Sequence, residues 1–111
     1  MAWLIQSALS TDPRLEHIGQ ITNAIEAIAM AQELSPVLII LDHQIEGEIM
    51  GLQAAPLIKP ACPDARIILF TSQDLSVEAK QEPAIDLFLP KRDFKQLVVA
   101  AQQMLGLAPL V

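Results

Sequence analysis

Residues 36–42 read PVLIILD, a β-branched and aliphatic run that opens at Pro36 and stops at a carboxylate, Asp42. Five consecutive apolar residues, Val37 to Leu41, are too few for a buried helix and too continuous for a half-exposed strand. They predict a strand covered on both faces, as in a parallel sheet. The same pattern returns at 65–70, ARIILF, which stops at polar Thr71 and Ser72, and again at 85–89, IDLFL, a last strand before Pro90 and Lys91.

Helical spacing fills the gaps between these runs. Upstream, Asn23 with Glu26 three residues on predicts a capped helix start, and Ile25, Ile28, Ala29 and Ala31 to Leu34 continue it as an amphipathic segment. Gly51 to Lys59 carries Leu52, Ala55 and Ile58 at helical spacing; Pro56 is compatible only with a helix that starts late enough to hold it in the first turn. Ser76 to Gln81 is expected to be a short helix cut off by Pro83, and Asp93 to cap a last helix that carries Leu97, Val98, Ala101 and Leu105 and ends at Gly106. Leu15 to Gly19 alternates like a strand. The alternation predicts a three-layer α/β/α sandwich with a parallel sheet, whose site lies beyond the carboxyl ends of the strands. Asp42, Thr71 and Lys91 occupy those ends and are expected to converge.

With 111 residues, 52% of them hydrophobic and 18% charged, the chain is expected to form one domain over 1–111 with a real core. Its net charge of −6, with no cluster of Lys or Arg, argues against binding nucleic acid directly. No apolar run approaches the ~18 residues of a membrane span, and the first ten residues make a poor secretory signal, so a cytoplasmic location is the default. Cys62 is the single cysteine and is expected to be a small apolar loop residue. Two histidines without paired cysteines give no zinc pattern, and four scattered glycines form no phosphate-cradling loop, which disfavours nucleotide and flavin binding.

A carboxylate, a hydroxyl and an ammonium at one rim suit phosphoryl chemistry. Asp42 can act as the nucleophile, with Lys91 and Thr71 stabilising phosphoryl oxygens. His43 adjoins Asp42, but neighbours along a strand end point in opposite directions, so it is expected to be a loop histidine.

These residues resemble the receiver domains of bacterial two-component response regulators, which have a flavodoxin-like fold. Residues 35–42 look like the third strand of that family with its phosphoacceptor, 67–72 like the fourth with its switch hydroxyl, and 86–91 like the fifth. Residues 12–27 are similar to the second strand and helix of receivers that carry a helix-turn-helix output domain. The resemblance implies that Asp42 accepts a phosphoryl group from a histidine kinase or phosphotransfer protein. It also implies that Thr71 and Lys91 bind the group, that Phe88 is the aromatic switch, and that Mg²⁺ sits on Asp42 and the Gln44 backbone. Such a domain is a signalling module more than an enzyme.

The chain departs from the family in lacking an acid pair after a first strand. In one alignment Met1 to Ser10 is the first helix and the first strand is absent. In the other, Ala2 to Ile5 is that strand, with Gln6 and Ser7 at the acid positions, but about eight residues are then left for a crossover that usually needs a dozen. Either way the metal site is impaired unless Glu46, Glu48 or another chain supplies a carboxylate. An absent central strand would be compensated by closure of its neighbours or by strand exchange in a homodimer. The family's proline after the phosphoacceptor is missing, and Arg92 follows Lys91 where many members have proline. A phosphorylation-independent pseudo-receiver that acts as an interaction module is the alternative.

Overall fold

The computed structural model describes residues 12–15, 23–45 and 47–108. The first helix, α1 (Ala24–Leu34), leads into β1 (Leu38–Leu41), α2 (Gly51–Ile58), β2 (Arg66–Thr71), α3 (Ser76–Gln81), β3 (Leu87–Pro90) and α4 (Leu97–Met104), with single 3₁₀ stretches at Lys59–Ala61 and Lys91–Gln96. The sheet is parallel throughout, in the order β1-β2-β3. Leu38 to Leu41 pair in register with Arg66 to Leu69, and Ile68 to Thr71 with Leu87 to Pro90.

The expected burial on both faces is met in β2, where it follows from strand alternation, but not in β1, which lies at the edge of the described sheet with Leu38, Ile39 and Ile40 half-buried and Val37 exposed ahead of it. Along β2, Ile67 and Leu69 point into a cluster with Ala27, Ala31, Ala54, Ala55, Ile58 and Ala79 of α1, α2 and α3. Ile68 and Phe70 point the other way, onto Leu89, Leu97 and Ala100, so that α4 closes the opposite face. This is the three-layer, flavodoxin-like arrangement expected from the sequence.

Helix α1 begins as its cap predicts: the Glu26 N–H donates to Asn23 Oδ1 at 2.9 Å. It buries Ala24, Ala27 and Ala31, small residues that let the helix lie close to the sheet, while Ile25 turns outward and is 79% exposed. The chain leaves α1 through Ser35 in the left-handed conformation, φ +47°, ahead of Pro36.

Two local expectations are corrected. Helix α2 starts at Gly51, so Pro56 is its sixth residue and not in its first turn. The proline is exposed, and the Leu52 carbonyl deprived of its i+4 donor lies in a half-buried residue at the same surface. Asp93 does not cap the last helix: with φ −96° and ψ 28° it sits in the 3₁₀ stretch, outside the extended geometry an N-cap needs, and α4 starts only at Leu97. Gly106, at φ +69°, follows α4 as expected. The strand expected over Leu15 to Gly19 and both alignments of residues 1–10 fall largely or wholly outside the described residues; Leu15 itself lies in a turn closed by its N–H on the Asp12 carbonyl.

At the amino ends of β2 and β3, Asp86 accepts from the Ile67 N–H at 2.8 Å and from Lys59 and Arg66 at 3.3 Å each. A second polar knot holds the far side. The buried Asp12 carboxylate receives Arg14 Nη2 at 2.8 Å and Gln102 Nε2 of α4 at 2.9 Å, and Arg14 Nη2 also donates to the Ala108 carbonyl at 2.6 Å. Cys62 is buried in the first cluster, and burial pushes its thiol pKa up. No described helix is long and apolar enough to cross a membrane.

Candidate functional site

Because all three strands run the same way, their last residues share one rim. Asp42 follows β1 directly, Thr71 ends β2, and Lys91 follows β3. Thr71 pairs in register with Pro90, which sets its backbone beside the strand end that delivers Lys91. Lys91 Nζ donates to Asp42 Oδ2 at 2.5 Å, and the Gln44 N–H donates to Asp42 Oδ1 at 3.1 Å. The side chains of Lys91 and Asp42 are 17% and 29% exposed, so the ion pair lines the surface of a rim and is open to an incoming group.

Thr71 is fully buried, and its Oγ1 accepts the Gln73 N–H at 3.3 Å within its own turn. That bond uses the oxygen's acceptor side and leaves the hydroxyl proton to donate. Phe88, expected as the aromatic switch, is half-buried and packs against the cluster beneath α1, α2 and α3. The structure therefore joins Asp42 to Lys91 directly, and brings Thr71 to the same rim through strand register.

Sequence reasoning missed how the loop after Asp42 is held. His43, expected as a loop residue, accepts the Leu52 N–H on its Nδ1 at 3.2 Å, and its carbonyl accepts the Gly51 N–H at 2.8 Å. Gly51 is packed so tightly here that a Cβ would stand 2.1 Å from the Asp42 carbonyl oxygen. The Asp12, Arg14 and Gln102 knot was missed as well; the Asp-Pro-Arg spacing was its one local signal, and Gln102 lies 90 residues away from Asp12.

Mg²⁺ takes oxygen ligands, commonly one or two carboxylates together with phosphate oxygens and water. Asp42 supplies one carboxylate, with Lys91 and the Gln44 N–H already on its two oxygens, and the described residues assemble no group of three His, Cys, Asp or Glu side chains. Asp42 and the Gln44 carbonyl alone thus do not fit a divalent site. Glu48 is exposed in the loop, and Glu46 lies outside the described residues.

No family model matches the chain. Its sequence is 34% identical over 89 residues to response regulator protein VraR of Staphylococcus aureus, covering 78% of this chain and 42% of that protein. The chain therefore spans less than half the length of the curated relatives it matches. Among solved structures, the response regulator domain of Thermotoga maritima CheB superposes with a TM-score of 0.81 at 19% identity, covering 98% of this chain and 90% of that one. The signal receiver domain of a Luxo repressor protein from Vibrio parahaemolyticus gives 0.78 at 24% identity, over 95% and 81%. Sequence relationship and fold together place the chain among the receiver domains of two-component response regulators.

Proposed function

We propose that this receiver domain takes a phosphoryl group onto Asp42 from the phosphohistidine of a histidine kinase or phosphotransfer protein in the cytoplasm. The observation that carries the reading is the Lys91–Asp42 ion pair on the strand-end rim beside Thr71. An Asp42 carboxylate oxygen attacks phosphorus, the phosphorus–nitrogen bond of the donor breaks, and the released imidazole nitrogen takes up a proton. The product is an acyl phosphate. Lys91, already in contact with the carboxylate, moves its ammonium onto a phosphoryl oxygen, and the Thr71 hydroxyl donates to another. The added charge and acceptors reposition Thr71, and Phe88 follows by repacking. The domain works as a phosphoacceptor and signals by protein contact, its net charge of −6 keeping it off nucleic acid.

A second reading, a phosphorylation-independent interaction module, is favoured because the described residues assemble no group of three His, Cys, Asp or Glu side chains that could hold a metal ion beside Asp42. Intact mass after incubation with acetyl phosphate, with and without Mg²⁺, separates the two. One added phosphoryl group on the wild type and none on Asp42→Asn supports the first reading, and the Mg²⁺ pair tests the family's cofactor. No adduct under conditions that label an ordinary receiver supports the second. Sedimentation velocity on the same samples tests the strand-exchanged homodimer, which a monomer would exclude.

A further inference from the structure

We infer that His43 is a positioning residue for Asp42: it fastens the first turn of α2 onto the peptide that follows the phosphoacceptor, and so sets the amide that orients the carboxylate. The inference rests on the reading of Asp42 as the reacting group. A helix start leaves four N–H groups without partners inside the helix, and Met50, the residue before α2, makes no side-chain cap. His43 meets two of those four from eight and nine residues upstream, the Gly51 N–H with its carbonyl and the Leu52 N–H with Nδ1. Accepting at Nδ1 requires the tautomer with its proton on Nε2.

The same His43 carbonyl also accepts the Ile45 N–H at 3.1 Å, closing a tight turn with Gln44 at its centre. Gln44 is the residue whose N–H reaches Asp42 Oδ1. Glycine at 51 lets the helix come this close, since any Cβ would run into the Asp42 carbonyl and His43 Cα, both backbone. One residue thus ties three things together: the start of α2, the turn around Gln44, and through Gln44 the orientation of the carboxylate that Lys91 holds from the other side.

The test compares His43→Ala with His43→Asn, whose side-chain oxygen can replace Nδ1 as an acceptor. Two readouts are taken on folded protein: the rate of acetyl phosphate labelling at Asp42, and amide hydrogen exchange at Gln44 and Leu52 with Ile68 of β2 as the reference. His43→Ala is expected to slow labelling about tenfold and to speed exchange at both Leu52 and Gln44, leaving Ile68 unchanged; His43→Asn is expected to restore most of both. A role confined to capping would free Leu52 alone, and unchanged Gln44 exchange or wild-type labelling in His43→Ala overturns the inference. If the wild type takes no phosphoryl group, the reading of Asp42 fails, while faster Gln44 exchange in His43→Ala still upholds the positioning role.

Discussion

Lys91 and Asp42, 49 residues apart in sequence, meet at 2.5 Å between Nζ and Oδ2 because two parallel strands, separated by β2, deliver them to the same end of the sheet. The pair is partly exposed, and ion pairs in such settings contribute little to stability, about 1 kcal/mol or less. We predict that Lys91→Ala leaves the urea midpoint nearly unchanged and lowers Asp42 labelling by about a hundredfold, the size of loss seen when one donor to a developing oxyanion is removed. Equal losses in stability and labelling would make the pair structural.

Gly51→Ala tests the close approach from the helix side. Its Cβ would lie 2.1 Å from a backbone oxygen, so the loop or the helix must move. Overpacking of this kind costs about 1–3 kcal/mol. We expect that loss in urea denaturation; unaltered stability would show that α2 does not sit on Asp42 as described.

Pro56 offers the opposite sign. It is exposed inside α2 and withholds one backbone hydrogen bond. Restoring the donor should outweigh the extra freedom that alanine gives the unfolded chain, and Pro56→Ala is predicted to stabilise the protein by about 1–2 kcal/mol. A lower thermal midpoint in the variant would mean that the proline ring packs usefully.

Acid should weaken the fold through two carboxylates. The hydrogen bond from Arg14, then that from Gln102, holds Asp12 well below the usual carboxylate range against the opposing effect of burial. Burial pushes Asp86 up, but the Ile67 N–H and the Lys59 and Arg66 side chains outweigh it, and its pKa is lowered overall. A folded pKa below the unfolded value of about 4 stabilises the fold above that pH, and the contribution is lost as pH falls through the folded pKa. We predict a urea midpoint that drops from pH 5 to pH 2, and a shallower drop in Arg14→Ala. Parallel curves for the two proteins would count against the Asp12 contribution.

The three strands were legible because β2 is apolar on both faces and its flanking runs end in polar residues at matching places; parallel pairing then carries Asp42, Thr71 and Lys91 to one rim. The Asn23 cap was legible because its partner is three residues away. Less visible was whatever depends on residues distant in sequence. Ile25 fitted a helical stripe, yet the alanines beside it face the sheet, since close helix–sheet packing favours small side chains there. Asp93 looked like a cap because residue type does not reveal the 3₁₀ stretch that follows β3. His43 was read from its strand neighbours, whereas its partners are at Gly51 and Leu52.

The Arg14–Ala108 hydrogen bond spans 94 residues, so it forms only when the two ends of the described chain have come together. Contacts of such separation carry the largest closure entropy and belong to the late part of folding. Arg14 should accordingly act on how the protein opens: in stopped-flow experiments we expect Arg14→Ala to raise the unfolding rate constant and to leave refolding near its wild-type speed. The lifetime of the folded domain is then expected to depend on a contact near the ends of the described chain, and not only on the rim that carries Asp42 and Lys91.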